Sequence, residues 1–223
     1  ALTTGSFNVA VGYTSLGATT TGASNVALGD AALSSNTTAS NNTAVGAASL
    51  AANTTGAENT AVGTGALEEN TTASYNTALG KDAAGATTTG HSNTAIGRYS
   101  LLTNTTGSYN TGLGRDALRY TTTASSNTGI GFAALSANTT ASNNTAVGYN
   151  SLTANTTGAT NVAVGNSALD ANTTASHNTA LGSSALTSNT TGAYNVAVGR
   201  QSLTASTTAD NNTAVGYQSL YSN

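Results

Sequence analysis

The chain has no cysteine among its 223 residues. Neither a disulfide framework nor a Cys-ligated metal therefore stabilises it. Charge is also scarce: Lys and Arg number 5, Asp and Glu 8. Five basic side chains are too few to neutralise a nucleic-acid backbone. The two histidines, His91 and His177, lie far apart in sequence, and the acids are scattered from Asp30 to Asp210. Catalysis needs a clustered, non-repeating set of acids, bases or nucleophiles, so a non-enzyme without catalytic residues, cofactor or metal is expected. The acids do not recur at a fixed offset either, which argues against a calcium-binding repeat. No apolar run approaches the ~18 residues of a membrane span.

What the chain does have is a five-residue stretch, Asn-Thr-Ala-Val-Gly, as at Asn144–Gly148. Its glycine recurs at Gly12, Gly29, Gly46 and onward to Gly216, always 17 residues apart. Numbering positions from the Asn, position 2 is Thr or Val and position 3 is Ala or Gly. Position 4 is Val, Leu or Ile, position 5 is Gly, and position 9 is Leu except at Ala84. Position 12 is mostly Asn, and positions 13 and 14 are Thr-Thr throughout. Composition alone resembles a disordered low-complexity tract, but a disordered chain has no need of so strict a register. Ala1–Phe7 aligns with the last seven positions of a repeat and Tyr221–Asn223 stops inside one. Residues 1–223 thus read as a single uncapped array, a segment of a longer chain.

Helix is a poor reading, because each repeat holds Gly, a Thr pair and several Asn, all weak helix formers. Short strands at positions 2–4 and 12–14, bounded by Gly, Asn and Ser, fit better. One repeat cannot bury its own apolar face, so neighbours must stack. The expected fold is all-β, a β-solenoid (parallel β-roll or β-helix) with one 17-residue repeat per rung and about 13 rungs. Rungs ~4.8 Å apart give a rod roughly 60 Å long.

Stacking assigns roles to the invariant positions. The position-1 asparagines, including Asn42, Asn59, Asn76, Asn93, Asn110, Asn127, Asn144 and Asn161, are expected to form a hydrogen-bonded ladder. Gly at position 5 suits a corner with positive φ or a close backbone approach. Alternation places positions 2 and 4 on one face of the strand and position 3 on the other. The favoured arrangement turns position 4 inward, to form the core with Leu at position 9, and leaves a smooth Ala file outside. In the opposite arrangement Ala lies inside a very thin roll and the Val/Thr face becomes an intersubunit surface.

The aromatics flank the strand. Tyr13, Phe132, Tyr149 and Tyr217 are at position 6, and Phe7, Tyr75, Tyr109 and Tyr194 at position 17. They read either as turn residues lying over neighbouring rungs or as a lateral contact strip for another chain or a surface, for which Tyr13, Tyr75, Tyr109, Phe132, Tyr149, Tyr194 and Tyr217 are the candidates. Only one residue of each Thr-Thr pair can face outward, so a flat two-file Thr plane of the ice-binding kind is missing. The stretch Asn36-Thr37-Thr38 and its equivalents match the N-x-T glycosylation pattern, a match that follows automatically from the repeat.

The stretch NTAVGYNSLTANTTGATNVAVG (residues 144–165) resembles the head repeats of trimeric autotransporter adhesins and the NTAVG and NTTG arrays of tail-fibre-like proteins. That resemblance implies left-handed parallel β-rolls that trimerise. It departs in repeat length, 17 residues here against a shorter adhesin repeat, with the extra residues around Asn-Thr-Thr. The expected role is a structural repeat segment of an extracellular fibre, stalk or adhesin at a cell or virion surface. Self-association, end-to-end or as a trimer, is expected. An ice- or glycan-binding solenoid using the Thr-rich face is the alternative.

Overall fold

A computed structural model describes residues 4–222. The chain divides into two compact units, Ala1–Asn110 and Thr111–Asn223. The first holds six strands: β1 (Val9–Val11), β2 (Val26–Leu28), β3 (Thr43–Val45), β4 (Thr60–Val62), β5 (Thr77–Leu79) and β6 (Thr94–Ile96). The second holds seven: β7 (Thr111–Leu113), β8 (Thr128–Ile130), β9 (Thr145–Val147), β10 (Val162–Val164), β11 (Thr179–Leu181), β12 (Val196–Val198) and β13 (Thr213–Val215). Within each unit, successive strands pair in parallel with equivalent residues opposite one another, as Ala44 with Ala61 and Ala146 with Ala163. Each unit is therefore a β-solenoid with one 17-residue repeat per turn.

Backbone hydrogen bonds link the rungs well beyond the strands. In the repeat 42–58, the N–H groups of Thr43, Leu50, Ala52 and Thr54 donate to the next rung, at 2.9 to 3.0 Å. Those of Gly46, Ala48 and Glu58 donate to the preceding rung. Only positions 2–4 form a strand. The second strand expected at 12–14 does not form; a turn runs over residues 47–52, and Asn53 N–H closes it by donating to Leu50 O at 3.1 Å. The Thr pair still binds the next rung. Thr54 sends both its N–H and its Oγ1 hydroxyl to the Thr71 carbonyl, at 2.9 and 3.0 Å.

The corners explain the Gly and part of the rest. Gly46 has φ +128°, and a Cβ there would lie 2.6 Å from the carbonyl carbon of Gly63. Three other positions per repeat turn through the left-handed region, with Gly65 the one glycine there among the described residues: Asn41 (φ 61°), Ala48 (φ 56°) and Leu50 (φ 50°) mark positions 17, 7 and 9. A left-handed residue costs about 1–2 kcal/mol. At position 9 that cost is offset, because Leu50 is fully buried and burial of a leucine side chain returns about 2–3 kcal/mol.

The favoured orientation of the strand is overturned. Position 3 is inside: Ala27, Ala44, Ala61, Ala78 and Ala95 are fully buried, as are Ala146, Ala163, Ala180 and Ala197. The aliphatics of position 4 point outward, Leu28 at 45% and Leu113 at 41% exposure. The reason is space. A Cβ built on Gly129, at position 3, would lie 3.1 Å from Cγ of Leu118, a position-9 leucine. The Leu file already fills the roll, and nothing larger than a methyl fits opposite it. The interior of a rung is thus Ala, Leu, a small residue at position 8, and two asparagines.

Candidate functional site

Two Asn files run inside each unit. At position 1, the backbone N–H donates within each unit to the Oδ1 of the Asn one rung earlier. Asn42, Asn59, Asn76, Asn93 and Asn110 do so in the first unit, at 2.9 to 3.0 Å. In the second unit Asn127 is the acceptor for Asn144, and Asn144 for Asn161, both at 2.9 Å. The side-chain amide spans the roll: Asn42 Nδ2 donates to Gly56 O at 2.8 Å, and Asn144 Nδ2 to Gly158 O at 2.9 Å. Some amides also reach the preceding one, as Asn59 Nδ2 to Asn42 Oδ1 at 3.2 Å. The ladder expected from the repeat is therefore present, with the backbone N–H as its principal donor.

The second file, at position 12, was not anticipated as a ladder, although its recurring Asn was the signal. Asn53 Nδ2 donates to Asn36 Oδ1 at 3.2 Å and to Gly56 O at 2.9 Å. Both files meet on one acceptor per rung, the position-15 carbonyl. Burying an amide without partners costs about 1–3 kcal/mol; here the donors are satisfied inside the chain. Thr19 continues the file, its Oγ1 accepting from Asn36 Nδ2 at 3.4 Å, but the file breaks at Thr87 and Ser206. Asn70 Oδ1 and Asn189 Oδ1 are buried without partners, and the residues one rung on, Thr87 and Ser206, have unpartnered hydroxyls. Neither replacement carries an amide that reaches back to the preceding oxygen.

A two-rung sub-period also escaped the reading of single repeats. Gly56-Ala57 is followed by Ala73-Ser74, and Gly158-Ala159 by Ala175-Ser176. Ser74 Oγ accepts from Ala57 N–H at 3.0 Å, and Ser176 Oγ from Ala159 N–H at 2.9 Å. A Cβ on Gly56 would run into the Ala73 carbonyl oxygen.

Outside, the strand face of each unit carries Thr or Val at position 2 and a branched aliphatic at position 4. No charged residue stands at positions 2 to 4 of any repeat. The aromatic candidates lie in the two flanking files, all exposed. Several of the rings pack against a neighbouring rung. In the second unit Phe132 and Tyr149 are parallel at 5.3 Å between centroids, and the Arg115 guanidinium sits 5.7 Å from the Phe132 ring. Tyr194 stacks on His177 at 4.9 Å, and Arg200 covers Tyr217 at 5.9 Å. In the first unit Tyr109 meets His91 edge-on at 5.0 Å. Tyr75 and His91, with Thr72, Ala73, Ser74 and Thr89, line an open cleft of about 350 Å³. Tyr13 stands exposed in the position-6 file. The candidates thus form two interrupted files with the sheet face between them in sequence, rather than one strip.

Charged contacts are local. Asp116 is held between Arg115 at 3.0 Å and Arg119 at 3.1 Å. Arg98 Nη2 donates to Tyr99 Oη at 2.9 Å. That hydrogen bond, and then the positive charge itself, holds the Tyr99 phenol below its ordinary pKa. Among the described residues, no group of three or more His, Cys, Asp or Glu is placed to hold a metal ion. No helix among them is long and apolar enough to cross a membrane.

The Thr pairs divide between wall and solvent although they form no strand. Thr54, at position 13, is half-buried and hydrogen-bonded; Thr55, at position 14, is exposed, as are Thr72 and Thr89. One exposed Thr file per unit results. No family model, no curated protein and no solved structure matches this chain.

Proposed function

We propose that this chain is a non-enzymatic structural segment of an extracellular fibre, stalk or adhesin at a cell or virion surface, and that its outward sheet face receives another copy of the same chain. The observation that carries this is the uncharged file of exposed branched aliphatics, Leu28, Leu79, Leu113, Val164 and Leu181 among them. Monomeric proteins rarely leave contiguous apolar strips in water. A surface that repeats with every rung is best matched by a surface of the same period, which a second copy supplies. The resemblance to adhesin head repeats points to three copies. The interior supports a mechanical role: backbone ladders, Asn files and the Leu file repeat in every rung, so added repeats lengthen the element without new kinds of contact.

The test is the mass in solution, by sedimentation or light scattering, of the parent chain and of a Val62→Lys, Val147→Lys variant. Both side chains point outward. The parent sediments as an oligomer and the variant as a folded monomer with an unchanged circular-dichroism spectrum. A monomeric parent chain at high concentration refutes the reading.

The exposed Thr file supports a second reading, an ice- or glycan-binding face. Its neighbour at position 16 is Ser or Ala rather than Thr in most rungs, so the plane is one Thr wide. Thermal hysteresis of the purified protein, or its retention on a glycan array, is the measurement that favours this reading over the first.

A further inference from the structure

Eight asparagines at position 12, from Asn36 to Asn189, stand in Asn-Thr-Thr sequons, and three at position 17 stand in Asn-Asn-Thr sequons: Asn41, Asn143 and Asn211. The fold treats the two sets oppositely. Asn53 represents the first. It is fully buried, and its Nδ2 donates to both Asn36 Oδ1 and Gly56 O. A sugar on that nitrogen has no route to solvent and would break the ladder. Asn41, Asn143 and Asn211 are exposed. Their main chain is anchored, each N–H donating to the rung before, at 3.1, 3.2 and 3.0 Å. Their side-chain amides make no hydrogen bond within the described residues.

A left-handed backbone alone favours Asn at position 17, with φ 61°, 64° and 60° at these three residues. The second residue onward completes the sequon. It is Thr in all three cases (Thr43, Thr145 and Thr213) and lies on the outward strand face. Where position 2 is Val instead, at Val9, Val26, Val162 and Val196, position 17 before it is Phe7, Ser24, Thr160 or Tyr194, never Asn.

We infer that Asn41, Asn143 and Asn211 are acceptor sites for N-linked glycosylation of the folded chain, and that folding closes the eight Asn-Thr-Thr sequons. In the reaction the amide nitrogen attacks C1 of a nucleoside-diphosphate sugar. The N–C1 bond forms, the bond from C1 to the phosphate oxygen breaks, the nucleoside diphosphate leaves, and a transferase base takes the amide proton. The threonines of these sites lie on the face proposed to receive a second copy, so the reaction is run on the Val62→Lys, Val147→Lys variant as well as on the parent, which separates a covered site from a site that is no acceptor.

The experiment incubates the folded protein with a soluble asparagine glucosyltransferase and a nucleoside-diphosphate glucose, then locates added hexose by peptide mass mapping. Up to three hexoses per chain are expected, at Asn41, Asn143 and Asn211 only. Asn41→Gln, Asn143→Gln, Asn211→Gln takes up none while keeping the parent's circular-dichroism spectrum. Chain denatured before the reaction also gains hexose at position 12. Hexose on Asn53 or Asn155 of the folded protein overturns the inference. So do folded parent and variant both left bare at the three sites while denatured chain is modified there, or a chain modified in neither state.

Discussion

Asn59 and Asn70 donate to the same oxygen. Their side-chain amides, approaching from opposite walls of one rung, meet the Ala73 carbonyl at 2.8 and 3.0 Å. Two polar side chains thereby close the turn across a roll whose apolar filling is Leu67 with the small Ala61, Ala66 and Ala73. Asn59→Ala deprives Asn76 N–H of its acceptor, Asn59 Oδ1, which it meets at 2.9 Å. The orphaned buried donor and the lost packing are expected to cost about 3 kcal/mol, read from denaturant unfolding. Tyr75→Ser, an exposed change, is expected to stay within about 0.5 kcal/mol.

The broken file at Thr87 can be repaired. Thr87→Asn is nearly volume-conserving, and its amide would reach Asn70 Oδ1, now buried without a partner. A gain of about 1 kcal/mol is expected, seen as a higher melting temperature. The same rung carries Ala84 where its neighbours have Leu67 and Leu101, with the same left-handed φ of about 50°. Combined with Thr87→Asn, Ala84→Leu is expected to raise the melting temperature further. A lower one would show that the adjacent leucines already occupy that space.

Glycines of one composition class behave differently. Gly56→Ala drives a methyl into the Ala73 carbonyl and is expected to destabilise by about 3 kcal/mol or more. Gly85→Ala meets nothing nearer than 3.4 Å and is expected to change stability by less than about 0.5 kcal/mol. Melting curves of the pair separate required glycines from tolerated ones.

Tyr99 is expected to titrate below its ordinary value of 10.0, because Arg98 hydrogen-bonds the phenol and its charge favours phenolate. Arg98→Gln removes both effects and returns the titration upward, followed by phenolate absorbance. The sign for stability follows from a folded pKa below the unfolded one: the contribution is present above the unfolded value and fades as pH falls through the folded value.

The aromatic files test lateral contact separately from the fold. Tyr149→Ser with Tyr194→Ser removes two ring stacks, on Phe132 and His177, and is expected to leave the monomer's secondary structure intact. Weakened assembly assigns the rings to an interface. Unchanged assembly leaves them as covers over neighbouring rungs.

Much of this protein was legible in its order of residues. An unbroken period of 17 dictates one rung per repeat, because insertions would shift every equivalent side chain out of register. The period likewise placed the position-1 Asn file in a ladder and Gly46 at a positive-φ corner. Which way the strand faces was not legible, since alternation in Thr-Ala-Val is the same pattern read from either side. Tertiary packing decided it: Leu118 leaves room for no more than a methyl at position 3, so the small residue turns in and the branched ones turn out. The fates of the two kinds of asparagine were decided there too, because burial at Asn53 and exposure at Asn41 depend on which wall of the roll each occupies and not on the residue itself.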